Sequence, residues 1–247
     1  MHKTSSSDSP ALMAEALTRK FGRFTAVDAI DLEVRRGEIF AFLGPNGAGK
    51  TTAIRMFCGL LPPTSGEAWV DGLNIATDRE QIKSQIGYMS QKFSLYDDLS
   101  VVENLTFCGG VYGLSRSETA AAAGPLLKRL GLFGRESLIT RELPPGFKQR
   151  LALGCTILHR PRILFLDEPT AGVDPSARRE FWDVIYELAA GGTTVFVTTH
   201  YMDEATRCNR VAIMKDGRLI ALGTPGELRE RYDAPTLQEA FHRAVAE

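Results

Sequence analysis

Ile39–Leu43 (IFAFL) runs directly into Gly44-Pro45-Asn46-Gly47-Ala48-Gly49-Lys50-Thr51-Thr52. Five apolar residues that stop at a glycine suit a strand buried on both faces. Beyond the glycine-rich turn, Ile54, Phe57, Cys58 and Leu61 keep the i, i+3, i+4, i+7 spacing of a helix with one buried side. The turn between them matches GxxxxGK[ST] in full. In such a turn the glycines let the backbone curl so that successive N–H groups point at phosphate oxygens. The helix that starts near Gly49 adds its positive dipole end. Lys50 is then expected at the β- and γ-phosphates, the Thr51 hydroxyl on Mg²⁺, and Thr52 beside the α-phosphate.

The same alternation continues along the chain. Ile163–Leu166 (ILFL) stops at Asp167-Glu168, and Thr194–Val197 (TVFV) leads into Thr198, Thr199 and His200. Helical spacing recurs at Leu151, Gly154, Cys155 and Leu158, and at Phe181, Val184, Ile185 and Leu188. Strands alternating with helices predict an α/β fold with a mostly parallel core sheet, whose ligands lie beyond the carboxyl ends of the strands. There one carboxylate can hold a metal and its neighbour, on the other face of the strand, can orient or deprotonate a water. Asp167 is assigned to Mg²⁺ and Glu168 to the water. Strand-like pieces and turn signals at 24–38 and 67–76, including Asp71-Gly72, predict a small antiparallel layer. Residues 93–160, with the alanine run at 120–123, read as a helical insertion.

Composition bounds what remains. The 247 residues suffice for one large domain, and 29 basic against 30 acidic side chains leave a net charge of −1. Broad electrostatic binding to nucleic acid is therefore not expected. No apolar run approaches the ~20 residues of a membrane span. Residues 1–12 are expected to form a loose, flexible tail, and 13–247 a single domain with an extension at 224–247. Cys58, Cys108, Cys155 and Cys208 lie far apart, so free thiols and no metal cluster are expected.

Four further features follow in order. Gln91 follows IGYMS, Leu143-Pro-Pro-Gly146-Phe-Lys-Gln-Arg150 opens a helix, Ala171-Gly-Val-Asp174 follows the acid pair, and His200 ends TVFVTT. With the phosphate loop, this order resembles the nucleotide-binding subunit of ABC transporters over roughly residues 14–240. PPTSGEAWVDG at 62–72 and LDEPTAGVDP at 166–175 look similar to that family too. The resemblance implies an ABC ATPase fold of the P-loop NTPase class, and Mg-ATP hydrolysis between two copies, or this chain and a related ATPase subunit, arranged head to tail. It implies that Phe21 stacks on adenine, that Gln91 touches Mg²⁺ or the attacking water, that His200 contacts the γ-phosphate, and that Gly146 and Asp174 shape the opposing site. It also implies separate transmembrane permease subunits, at the cytoplasmic face of the inner (plasma) membrane.

One stretch departs from the family pattern. Where the family has LSGGQ, this chain has Leu143-Pro144-Pro145-Gly146-Phe147. Pro144 brings no hydroxyl, and neither proline brings an N–H. Loss of one charge-assisted donor weakens the closed site by ~1.5–3 kcal/mol. The segment looks like a signature variant of one group of bacterial exporters, and it could also be the degenerate half of a non-identical pair; intact ATP-face residues favour the first. The tail from Thr224 to Phe241 resembles export-type ATPases of the type-2 branch. An ATP-binding regulatory or assembly module with weak hydrolysis, a soluble ABC-type ATPase acting on ribosome or DNA, and a nucleotide kinase are the competing readings.

Overall fold

In the computed structural model, which describes residues 9–91 and 95–246, the apolar runs pair side by side. The central sheet contains β3 (Ile39–Leu43), β6 (Ile86–Met89), β7 (Ile163–Asp167), β8 (Thr194–Thr199), β9 (Arg210–Lys215) and β10 (Arg218–Gly223), in the order β10-β9-β3-β8-β7-β6. Every pairing in it is parallel except β10 with β9. The second sheet is antiparallel, β2 (Phe24–Val34), β1 (Leu12–Phe21), β4 (Ser65–Val70) and β5 (Leu73–Asn74) in that order. The expected mostly parallel core and antiparallel layer are both present.

Alternation along the buried strands sorts the core into two halves. Phe40, Phe42, Phe165 and Phe196 point to one face and pack with Phe57 of α1 (Lys50–Phe57) and the antiparallel sheet. Phe42 meets Phe196 edge-on at 4.7 Å, and each such buried ring contributes roughly 1.5–3 kcal/mol of transfer free energy. Ile39, Ala41, Leu43, Leu164, Leu166, Val195 and Val197 point the other way. They pack against α5 (Pro145–Ile157) and α6 (Pro175–Ala190).

Between β6 and β7 come α3 (Val101–Val111), α4 (Arg116–Arg129) and α5, and an antiparallel bridge between Ser100 and Ile139. α2 (Arg79–Gln85) precedes β6. α7 (Met202–Ala205) follows β8, and α8 (Pro225–Arg231) and α9 (Leu237–Ala246) close the described chain. The alanine run lies on α4.

The sheet begins inside the segment read as a tail. Ala11 and Leu12 are buried, the Ala11 N–H donates to the Val34 carbonyl at 2.8 Å, and Leu12 pairs with Val34 and Val70. Two strands cover this apolar pair, so the ordered chain starts earlier than residue 13. Residues 1–8, where most of that predicted tail falls, lie outside the described residues. Cys58, Cys108, Cys155 and Cys208 are free thiols, as expected.

Candidate functional site

Parallel register assembles the site. Leu43 lies beside Thr199, Asp167 beside Thr198, and Met89 beside Leu166. The residues that follow these strands, Gly44, Glu168, His200 and Gln91, therefore emerge at one edge of the sheet. Sequence motifs far apart in the chain meet because their strands end level.

The phosphate loop turns between β3 and α1. Gly49 has φ +102° and sits at the N-cap position of α1. A Cβ there would stand 2.3 Å from the Ala26 carbonyl oxygen, and one on Gly44 would stand 2.4 Å from that of Met214. Both positions take the backbone where a side chain cannot go. No side chain caps the first turn of α1, whereas α3, α4 and α8 carry full capping boxes from Ser100, Ser115 and Thr224. A helix start left uncapped beside a glycine cradle suits an anion. Pro45, Asn46 and Gly47 are exposed along the loop, Ala48 is buried, and Thr51 and Thr52 are half-buried.

Lys50 is buried and folds back over the loop. Its Nζ donates to the Gly44 carbonyl at 2.7 Å and to the Pro45 carbonyl at 3.0 Å. Burial lowers its pKa, and the charge of Glu168 opposes the shift. Thr51 Oγ1 donates to Asp167 Oδ1 at 3.0 Å, and Thr198 Oγ1 donates to the same oxygen at 2.6 Å. A hydroxyl beside a carboxylate is a hard oxygen pair of the kind Mg²⁺ takes, with most of its remaining ligands being water and phosphate.

Glu168 is the hub. Its backbone N–H donates to the Thr198 carbonyl and to Thr198 Oγ1, and its φ is +48°. A non-glycine residue in this region carries strain of roughly 1–3 kcal/mol, sustained only where neighbours over-determine it. One carboxylate oxygen is 3.6 Å from Lys50 Nζ. The other accepts from Gln91 Nε2 at 3.1 Å and lies 3.3 Å from His200 Nδ1. The structure thus brings together Lys50, Thr51, Gln91, Asp167, Glu168 and His200.

It does not bring Phe21, Gly146 or Asp174 to that group: no hydrogen bond or ion pair links them to it among the described residues. Phe21 ends β1, is 47% exposed, and has the Arg19 guanidinium 4.6 Å from its ring centre. Asp174 caps α6 through the Ser176 and Ala177 N–H groups, both at 3.0 Å, and these bonds hold its carboxyl below the usual range. Gly146 packs against the same turn, where an added Cβ would be 2.7 Å from Ala177 Cβ. Its glycine therefore also serves the packing of α5 on α6. α5 begins as the sequence predicts, with Pro144 at the N-cap and Pro145 in the first turn.

Two groups escaped the sequence reading. Thr198 holds both acids, and its only signal is a hydroxyl inside an apolar strand. Glu204 is fully buried; its carboxylate accepts from Thr199 Oγ1 at 2.5 Å and from Thr170 Oγ1. In the sequence it sits in MDEA, which reads as the polar face of a short helix.

Comparison with known proteins adds independent findings. The family profile described as ABC transporter matches residues 27–171, more than half of the chain. The "Probable multidrug ABC transporter ATP-binding protein YbhF" of Escherichia coli (strain K12) is 50% identical over 237 residues, which are 94% of this chain and 41% of that protein. The chain thus spans well under half the length of that relative. The "Linearmycin resistance ATP-binding protein LnrL" of Bacillus subtilis (strain 168) is 37% identical over 92% of this chain and 73% of its own length. A solved "Structure of ATP binding subunit of ABC transporter" superposes with a TM-score of 0.85 at 30% identity, over 95% of this chain and 99% of that one.

Proposed function

Because this chain belongs to the ABC transporter family and is an ATP-binding domain of it, a family that hydrolyses ATP to power transport, we propose that it binds and hydrolyses Mg-ATP at a head-to-tail dimer interface and so drives export through separate membrane permease subunits. The supporting observation is the Glu168 carboxylate, set beside the Thr51–Asp167 pair and faced by Lys50, Gln91 and His200.

The roles follow from that geometry. Loop N–H groups from Gly44 to Thr52, with Lys50, hold the phosphates. Thr51, Asp167 and Gln91 would hold Mg²⁺, which supplies positive charge to the phosphate oxygens when bound. Glu168 orients the attacking water and takes its proton, and Gln91 and His200 fix the carboxylate that does so. Positioning and charge stabilisation then carry most of the catalysis. The exposed ring of Phe21 is available to stack on adenine. Gly146 at the start of α5, and Asp174, would close over the nucleotide of the opposing subunit.

Among the described residues no helix is long and apolar enough to cross a membrane. Attachment at the cytoplasmic face of the inner membrane is accordingly proposed to run through the permease subunits. The relatives' names, multidrug and linearmycin resistance, favour small toxic organic molecules as cargo.

The test is steady-state Mg-ATP hydrolysis across protein concentration. Because two chains build each site, specific activity should rise with concentration until the dimer saturates, and EDTA should abolish it. Flat specific activity would sink the shared site. The LPPGF segment, proposed here as a working signature variant, has its own expected result. Pro144 has the extended backbone of an N-cap, φ −56° and ψ 151°, without a capping side chain. In Pro144→Ser the hydroxyl restores a donor and a cap, the latter contributing about 0.5–2 kcal/mol. Hydrolysis should be undiminished and Tm unchanged or higher; a large loss of hydrolysis would mean that the proline's fit is required.

A further inference from the structure

His200 is not held by the strand end alone. His200 stacks on its neighbour Tyr201, with ring centroids 4.1 Å apart and planes 37° from parallel. The Arg178 guanidinium, from the second turn of α6, sits over the Tyr201 ring at 4.3 Å. Arg178 Nη1 is also 3.3 Å from Asp203, and its Nε is 3.9 Å from the buried Glu204 carboxylate. The Tyr201 N–H donates to Thr199 Oγ1 at 2.9 Å, and that hydroxyl donates to Glu204.

We propose that Tyr201, whose ring meets both the Arg178 guanidinium and the His200 ring, is a positioning residue for hydrolysis: it fixes His200 against Glu168, and Arg178 ties that placement to α6. The reading of His200 as part of the site is its premise. A cation over an aromatic face is held more firmly the more it is desolvated, and Arg178 is only 18% exposed. His200 itself is 37% exposed on its side chain, so bulk burial does not fix its rotamer, and its contacts with Glu168 and Tyr201 do. The chain of contacts has a direction that matters for a dimeric ATPase. Asp174 caps the first turn of α6, and Arg178 accepts its place one turn later, its N–H bonded to the Asp174 carbonyl at 3.0 Å. A shift of that turn, as when an opposing subunit presses on Asp174, moves the guanidinium and with it the Tyr201–His200 pair.

The chemistry makes a discriminating demand. Stacking needs the π face and not the phenol oxygen. Tyr201→Phe should therefore retain kcat within about twofold, whereas Tyr201→Leu and Arg178→Met should each lower it about tenfold with ATP affinity unchanged, the pattern of a misplaced catalytic group. Because they break one stack, the double variant should be no worse than either single one. The full chain would be assayed by single-turnover hydrolysis of γ-labelled ATP, alongside thermal melts and His200→Ala. A second readout needs no turnover: the His200 ring proton resonances, assigned by their loss in His200→Ala, should move in Arg178→Met toward their positions in Tyr201→Leu and stay near the parent's in Tyr201→Phe. Equal loss in Phe and Leu variants, multiplicative loss in the double variant, or an unmoved His200 resonance in Arg178→Met would overturn the proposal. If His200→Ala hydrolyses normally, the premise fails and the proposal with it; if only His200→Ala is impaired, the proposal alone fails.

Discussion

Glu168→Gln should bind Mg-ATP and fail to hydrolyse it, with kcat reduced about 10²–10⁴-fold, the range for loss of a positioned general base. The substitution keeps size and removes charge. Its amide oxygen can still accept from Gln91 Nε2, which meets the carboxylate at 3.1 Å, and its backbone N–H still bonds Thr198. A Gln at φ +48° is strained no more than the Glu it replaces. What disappears is the proton acceptor and the negative charge 3.6 Å from Lys50 Nζ. Lys50 then faces the phosphates without a competing carboxylate, so nucleotide affinity should hold or tighten, and an ATP-bound dimer should accumulate on size exclusion. Nucleotide binding and single-turnover hydrolysis, measured side by side with the parent chain, separate the two effects. Turnover within about fivefold of the parent would remove Glu168 from the catalytic role, since that is far below what a general base contributes.

How this site was legible in the sequence, and where it was not, has a physical pattern. The loop Gly44–Thr52 and the acids Asp167 and Glu168 follow apolar runs buried throughout in β3 and β7, so both the strand and its end are written in hydropathy. β1 is another matter. LMAEALTRKF mixes charges into a strand whose burial does not alternate, because Ala16 at φ +45° and register shifts after Ala14 and Leu17 break the two-residue period. The strand therefore has no two-residue signature in hydropathy, and its first residue, Leu12, falls in the segment read as tail. Glu204 and Thr198 were invisible for a different reason. A buried carboxylate is tolerated only because Thr170 and Thr199 donate to it, and neither pairing follows a helix or strand period: Thr170 is 34 residues away, and Thr199, five residues before Glu204, ends a strand. The stack of Arg178 on Tyr201 likewise joins residues on α6 and after β8. Gly146 was legible as part of a signature, but its contact with Ala177 belongs to helix packing, which spacing along one chain segment does not encode.

Gly49→Ala should cost the protein its nucleotide before it costs any chemistry. The added Cβ meets the Ala26 carbonyl oxygen at 2.3 Å and Met214 Cε at 2.9 Å. The methionine's flexible end can move aside; the Ala26 carbonyl is backbone of β2 and cannot do so without shifting the antiparallel sheet against α1. The φ of +102° adds a conformational penalty of roughly 1–2 kcal/mol for a residue with a Cβ. Relief comes most cheaply from the loop itself, which rests on few buried side chains: Pro45, Asn46 and Gly47 are exposed. If it relaxes, the uncapped N–H groups at the start of α1 no longer converge, and the Lys50 Nζ loses the Gly44 and Pro45 carbonyls that aim it. Several charge-assisted hydrogen bonds to phosphate would go together, each contributing about 1.5–3 kcal/mol, so loss of two corresponds to at least about a hundredfold in ATP affinity. Calorimetric titration of Mg-ATP, with a thermal melt of each protein, reads both consequences: affinity should fall by that factor while Tm falls by only a few degrees, about 4 °C or less per kcal/mol for a chain of this size. Gly47→Ala is the internal control. Its φ is +83°, yet a Cβ there meets no atom within 4 Å, so it carries backbone strain without the collision. A similar loss of ATP affinity in both variants would show that torsional strain alone disables the loop. A loss confined to Gly49→Ala ties nucleotide binding to the close approach of α1 to the Ala26 carbonyl.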